Sequence, residues 1–366
     1  MIPITRVAID DAIKAEVLSV LDSGMIAQGP KVVEFEERCS EMAGTRAAVA
    51  VNSGTAALLL ALRSFGIGPG DEVITSPLTF AATLNAILET GATARFGDIG
   101  DDFNLDMGTV EPLLSKRTRA LLPVHLYGGT ADMASATNIC ERHNLALVED
   151  AAQAHFATTP SGQAAGSFGL GCFSFYATKN LMCGEGGVVT VDDPDLEQRM
   201  RTLRNQGMER RYDYEMPGHN LRLTDLAAAV AIPQFDHVEA MLAARRKNAA
   251  ALGKGLEGLP GLVTPNAAAD AGHVWHQYTI RLTQESPIHR DALAESLAEH
   301  GVGHGFYYPK AVYDYDCYRT HPRVRIDGSP RAEAVAASVI SLPVHHHLEA
   351  SEVDHIIDVV RSALGA

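Results

Sequence analysis

"RALLPVHLYGGTADMASATNICERHNLALVED", Arg119 to Asp150, decides the fold class. It holds an apolar run, "RALLPVHL", then the helical pattern "DMASATNICERHN", then a second apolar run, "LALVED". Continuous apolar runs of this length suit strands buried on both faces, and a helix between them returns the chain so that they lie parallel. The same unit recurs upstream, where "AAVAV" precedes "GTAALLLALRSFG" and "EVITS" precedes "FAATLNAILETG". The alternation from Ala47 to Val191 therefore predicts an α/β fold with a mostly parallel central sheet and crossover helices. "GCFSFYA" and "GGVVTVDD" read as two further strands of that sheet, with Lys179 on their connection.

From Leu223 the pattern changes. The Ala-rich periodic segment "LTDLAAAVAIPQFDHVEAMLAARRKNAAALGKGL" reads as helices broken near Pro233, because proline removes a helical N–H and clashes with the preceding turn. Beyond it come a strand, "HQYTIRL", a helix from Arg290 to His300, an extended run, "GHGFYYP", and closing helices. The expected division is a large domain, 1–235, and a smaller C-terminal α+β domain, 236–366.

Composition narrows the partners. The chain has 366 residues, 46% of them hydrophobic, and a formal charge of −15. A surface for nucleic acid or anionic lipid needs a basic footprint, so neither partner is expected and any anionic ligand must be held by a local site. The five cysteines form an odd set with no CxxC pair, which indicates neither a disulfide framework nor a zinc ribbon and suits a reducing cytoplasm. The start, "MIPITRVAIDDAIKAEV", has no apolar core of a signal peptide, and the longest apolar stretch, Ala56 to Leu62, is far too short to span a bilayer.

Three short motifs carry chemistry. In "VNSGTAALLLAL" a strand ends in Asn52-Ser53-Gly54-Thr55 and opens a helix, presenting free N–H groups and hydroxyls at a positive helix terminus that suits a phosphate. Taken alone, Ser53 or Thr55 need only cap that helix. The spacing is neither GxGxxG nor a Walker loop, so dinucleotide and nucleoside triphosphate folds gain no support. In "LALVEDAAQAH", Asp150 falls at the carboxyl end of a buried strand, where open α/β sheets bind ligands. In "FSFYATKNLMCGEGG", Lys179 sits before a glycine-rich turn, where an isolated lysine is most often a solvated loop cation. Together, in this order on a parallel sheet, the three meet the needs of pyridoxal phosphate: Lys179 for the Schiff base, Asp150 for the pyridine nitrogen, the cup for the phosphate. Lys14, Lys31, Lys116, Lys247 and Lys254 fall in helical or charged contexts and suit the task less well.

The ordered series "QGPKVVEFE", "VNSGTAAL", "GDEVITSPLTFAAT", "VEDAAQAH", "FSFYATKNLMCGEGGVV", "HNLRLTDLAAA" and "SLPVHHH" resembles the DegT/DnrJ/EryC1/StrS family of sugar aminotransferases over nearly the whole chain. The resemblance implies the fold-type I aminotransferase architecture and transfer of an amino group from glutamate or glutamine to a keto-sugar, usually nucleotide-linked; some relatives use keto-cyclitols. It implies catalytic roles for Lys179 and Asp150. It adds Gln153 as partner of the cofactor's ring hydroxyl, Phe80 stacked on the ring, and Gly54, Thr55 and Ser174 on the phosphate. Asn220 would reach the phosphate of a second subunit, which implies a homodimer. A relative that dehydrates sugars has histidine in place of the lysine; this chain has Lys179.

Two departures bear on the substrate. The stretch Tyr307 to Arg319, "YYPKAVYDYDCYR", lacks the histidine and glutamine common there, and Met25 follows Gly24 where a bulky aromatic is frequent. Met25, Tyr308 and Lys310 are thus candidate substrate-binding residues, and Arg222, two residues past Asn220, is the candidate for the donor's carboxylate. His345 to His347 reads as a solvated turn before the last helix, with no metal site. His273 and His276, flanking Trp275, are expected to pack at the start of a strand.

Overall fold

The computed structural model describes residues 1–265 and 272–365. Two helices, α1 (Asp11–Ser23) and α2 (Pro30–Ala43), precede the alternating region. There β1 (Ala47–Val51), β2 (Glu72–Thr75), β3 (Thr93–Phe96), β4 (Thr118–Leu122), β5 (Ala146–Asp150), β6 (Leu170–Ser174) and β7 (Gly187–Val191) alternate with α3 (Gly54–Ser64), α4 (Ala81–Thr90) and α5 (Met133–His143). The strands lie side by side in the order β1-β7-β6-β5-β4-β2-β3, and pairs are parallel except that β7 runs antiparallel to both β1 and β6. Strands β2, β6 and β7 are buried along their whole length, as the continuous apolar runs require of a sheet covered on both faces.

Helix α6 (Pro194–Arg204) follows the sheet, then a small hairpin of β8 (Met208–Arg210) and β9 (Asp213–Tyr214). The expected break at Pro233 is present: α7 (Asp225–Ala231) passes through a 3₁₀ stretch, Ile232–His237, into α8 (Val238–Leu256). The C-terminal layer is a three-stranded antiparallel sheet of β10 (Leu262–Val263), β11 (Tyr278–Leu282) and a later strand, Val339–Leu342. Between its last two strands lie α9 (Arg290–Glu299), α10 (Asp316–Arg319), β12 (Val324–Arg325) and α11 (Pro330–Ala336), and the strand Val339–Leu342 (β13) leads to α12 (Ala350–Ala363).

The chain does not divide simply at residue 235. β12 pairs in parallel with β3 at the edge of the large sheet. The Tyr313 ring packs edge-on against Phe96, 5.0 Å away, and Ala332 and Ala336 pack with Leu78 and Ile99. In the other direction, Ile2 bridges Val302 and joins the C-terminal core. The histidine turn also differs from expectation. His345 is buried, its ring N–H donates to Pro3 O at 3.2 Å, and its own carbonyl accepts from Asn248.

Two polar anchors set the carboxyl edge of the sheet. Asp225, buried at the start of α7, accepts from the N–H groups of Gly29 (2.7 Å), Lys31 (3.2 Å) and Val32 (3.0 Å), and so caps α2, whose own N-cap is a glycine. Glu149, with no exposed surface, accepts from the N–H groups of Gly166, Phe168 and Gly169 and from His125 Nε2 at 3.0 Å. His125 Nδ1 accepts from Ala131 N, so the ring is the Nε2–H tautomer and donates to the carboxylate. Replacing Glu149 by Ala strands three N–H donors, that of Gly166 buried and two half-buried, and one buried imidazole. The expected cost is about 3–5 kcal/mol, read as a fall in the urea midpoint; an unchanged midpoint would contradict this role.

Candidate active site

The carboxyl ends of β1, β2, β4, β5 and β6 face one cavity of about 500 Å³, where ligands are expected in an open α/β sheet. At the end of β1, Ser53 caps α3, its Oγ accepting from Ala56 N at 3.1 Å. The capping role therefore holds, and it leaves the N–H groups of Gly54 and Thr55 in the first turn without intrahelical acceptors. Gly54 is required by contact: a Cβ there would lie 2.7 Å from Ser174 Cβ. Glycine thus lets the first turn of α3 close onto the end of β6, so that Ser53, Gly54, Thr55 and Ser174 line one cradle.

Asp150 ends β5 and is buried, 5% exposed. Its Oδ2 accepts from the Thr83 hydroxyl at 2.7 Å and its Oδ1 from Ala152 N at 3.2 Å. Thr83 gives its proton to the carboxylate, so the Thr79 hydroxyl, 2.7 Å away and on the cavity wall, donates to Thr83. Burial pushes the Asp150 carboxyl above its usual range, opposed by Thr83, Ala152 N and the charge of Lys179. No cation forms an ion pair with Asp150 among the described residues.

Lys179 follows β6 in a loop closed by main-chain bonds from Phe175 N to Gly186 O, Cys183 N to Phe175 O and Ala177 N to Gly184 O. Its side chain faces the cavity. Burial lowers its ammonium pKa to about 8, against an opposing pull from Asp150, so the nucleophilic free amine is well populated in mildly basic solution. Gln153 is fixed from both ends. Its Oε1 accepts from Tyr127 N at 2.6 Å and its Nε2 donates to the Tyr308 hydroxyl at 3.3 Å. Phe80, at the N-cap of α4, leaves 60% of its surface open, with its ring 5.9 Å from that of Tyr308. A large aromatic open at a cavity mouth is suited to covering a flat ring.

The fold thus gathers Gly54, Thr55, Phe80, Asp150, Gln153, Ser174, Lys179 and Tyr308 around one space. Four other expected residues do not line it. Met25 is 54% exposed; Lys310 is exposed and lies over the Tyr315 ring at 5.6 Å; Arg222 donates to Asn205 at 2.7 Å; and Asn220 is exposed beside Leu221, whose carbonyl accepts from Asn52 N. His276 is a correction in the other sense. It lies at a strand start as expected, two residues before β11, but there lines the cavity with Gln277. Thr79, just before the N-cap Phe80, and Thr83, in the first turn of α4, are further site residues that no sequence signal marks. Ile4 and Thr5 reach the wall from the N-terminal segment, a contact without local signal.

Among the described residues there is no cluster of three or more His, Cys, Asp and Glu able to hold a metal, and no helix is long and apolar enough to cross a membrane.

The chain is 42% identical over 350 residues to dTDP-3-amino-3,4,6-trideoxy-alpha-D-glucose transaminase of Streptomyces venezuelae, covering 95% of this chain and 90% of the relative. It is 37% identical to UDP-N-acetyl-3-dehydro-alpha-D-glucosamine 3-aminotransferase of Acidithiobacillus ferrooxidans, covering 97% and 94%. The crystal structure of S. venezuelae DesV with a ketimine intermediate superposes with a TM-score of 0.91 at 42% identity, covering 97% of this chain and 94% of that one. Residues 7–361 match the family description, and the chain belongs to the DegT/DnrJ/EryC1/StrS aminotransferase family.

Proposed function

We propose that this aminotransferase binds pyridoxal 5'-phosphate in the cavity at the carboxyl edge of the sheet and moves an amino group from glutamate or glutamine to a nucleotide-linked keto-sugar. The observation that carries the reading is the convergence of Lys179, Asp150 and the Ser53–Thr55 and Ser174 cradle in one space. The residues fit the cofactor at three points. Asp150 is a buried carboxylate with two neutral donors and no cation, which a protonated pyridine nitrogen would complete. The open N–H groups of Gly54 and Thr55 suit a phosphate, and the exposed Phe80 face suits a ring. When bound, the cofactor supplies the electron-withdrawing ring that makes the donor's α-proton acidic.

The remaining chemistry belongs to the chain. Lys179 Nζ takes up the donor's α-proton, which its lowered pKa permits near neutral pH. Asp150 holds negative charge against the ring nitrogen, and Thr83 and Ala152 N fix that carboxylate. Gln153 presents an N–H, since its carbonyl is engaged by Tyr127 N. Phe80 and Tyr308 supply aromatic surface to the cavity wall, their rings 5.9 Å apart.

The nucleotide-linked acceptor rests on the names of the two relatives, which denote amino groups placed on dTDP- and UDP-linked sugars. We further infer a homodimer. Asn220 is exposed and outside its own chain's cavity, as suits a residue that completes a second subunit's cradle. The five unpaired cysteines suit the cytoplasm. The division into a large domain, 1–235, and a smaller one, 236–366, stands as a proposal with the crossings described above.

With ¹⁵N-labelled glutamate or glutamine and nucleotide-linked keto-sugars, mass spectrometry should find ¹⁵N in the sugar; products that have lost water or ammonia without gaining nitrogen would instead identify an eliminating enzyme. Asp150→Ala should lower turnover by at least about a hundredfold while cofactor absorbance is largely retained. Thr83→Val, which removes one bond to the carboxylate, should cost roughly tenfold, and a Thr83→Val enzyme at full rate would exclude that bond from the mechanism. Because burial disfavours the ammonium form, acylation of Lys179 in the cofactor-free protein should have its midpoint near pH 8; a midpoint near the ordinary lysine value of 10.5 would contradict the enclosed site.

A further inference from the structure

His276 stands on the cavity wall with its ring orientation determined by the residue that follows the reactive lysine. Asn180 Nδ2 donates to the main-chain carbonyl of Val274 at 3.2 Å. A carbonyl only accepts, so the amide nitrogen must face Val274 and the Asn180 oxygen must face His276 Nδ1, 3.3 Å away. That oxygen also only accepts, so Nδ1 carries the hydrogen and Nε2 carries the lone pair. Nε2 has no hydrogen-bond partner among the described residues. Lys179 Nζ likewise has none.

The backbone around His276 is held firmly. Val274 N donates to Gly128 O at 2.9 Å, Gln277 N to Tyr127 O at 3.1 Å, and Arg245 Nη1 to Trp275 O at 2.8 Å. Trp275 and Tyr127 both adopt positive φ, +49° and +60°, and a Cβ on Gly128 would come within 2.8 Å of His276 N. Non-glycine residues in this region are strained and persist where surrounding contacts over-determine them, often at functional sites. The titratable groups that act on the ring are Lys179, Arg245 on α8, His155 after β5, and His273; Asp150 acts on the lysine. Burial, then Lys179 and Arg245, keep the imidazole neutral in the ordinary pH range.

We propose that His276 is a positioning residue for Lys179: its Nε2 lone pair accepts a hydrogen bond from the ζ-ammonium group and holds it at the cavity wall while Lys179 carries the proton taken from the amino donor. No proton is transferred to the ring; the bond is lost when the amine gives its proton up. The inference rests on the reading of Lys179 as the proton-handling amine.

The test reads Lys179 directly. In full-length protein freed of cofactor, the pH dependence of Lys179 acylation is followed by peptide mass spectrometry in wild type, His276→Phe and His276→Gln. Loss of the acceptor destabilises the ammonium form, so His276→Phe should move the midpoint down by about one pH unit, a tenfold change in the ammonium–amine equilibrium. His276→Gln, whose carboxamide oxygen can accept, should recover most of that change. In the loaded enzyme, His276→Phe should slow the half-reaction with the amino donor roughly tenfold with little change in donor KM, since one bond to a charged group is lost after the donor binds. A folded His276→Phe protein with a wild-type midpoint overturns the proposal. Should that variant not fold, ¹⁵N-histidine spectra decide: a resonance with the Nδ1–H pattern should titrate with Lys179 in wild type and not in Lys179→Met, and no such response overturns it. Failure of wild type to move nitrogen onto any sugar would undo the functional reading without altering the labelling result, which uses neither substrate nor cofactor.

Discussion

Two adjacent carboxylates at the end of β5 govern this molecule. Successive side chains on a strand point to opposite faces, so Glu149 and Asp150 leave one short stretch in opposite directions. Glu149 gathers the N–H groups of Gly166, Phe168 and Gly169 and the His125 ring. It thereby fixes the loop that feeds β6. Asp150 turns to the cavity with Thr83 and Ala152 N. Both are buried charges, and each is tolerable only because its hydrogen bonds are supplied by fixed groups. Strand placement and site polarity are thus two outcomes of the same two residues.

What the sequence disclosed follows from range. The cradle, Asp150 and Lys179 each lie at a strand end with a turn or helix signal beside them, and the alternating runs order those strands along one sheet. Their convergence could therefore be inferred without knowing any long-range contact. His276 could not be placed in this way, because "HVWHQY" reads locally as a strand start. The clamp on residues 127–128 and the positive φ of Trp275 hold the His276 backbone, and Asn180 meets its ring. Thr83 was hidden because a threonine in a helix carries no sign of which acceptor it will meet. The return of β12 to the edge of β3 involves two residues, too short a run for periodicity to register. Tyr313 shows the converse, since it falls in the stretch that departs from the family's pattern yet is buried and hydrogen-bonded to Glu333 at 2.9 Å.

Lys179 and Asp150 also regulate each other. Burial drives the amine toward its neutral form and the carboxyl toward its protonated form, while their mutual attraction opposes both shifts. For the amine, burial prevails over that attraction and leaves its pKa at about 8. That is the balance a proton-moving lysine needs, because an ordinary ammonium would be almost wholly protonated at neutral pH.

The antiparallel strand β7 gives this balance a kinetic meaning. A parallel β7 would require the chain after β6 to cross back to the amino ends of the strands before pairing. Instead residues 175 to 186 leave and re-enter at one edge, zipped by their own main-chain bonds. The loop's backbone thus has little conformational freedom left to lose, and Lys179 can explore only the arc of its four-carbon side chain. An amine restricted to that arc has a high effective molarity toward anything seated between Phe80 and Asp150. In the role proposed for Lys179, the same tether lets the amine return to its starting position by rotation about side-chain bonds alone.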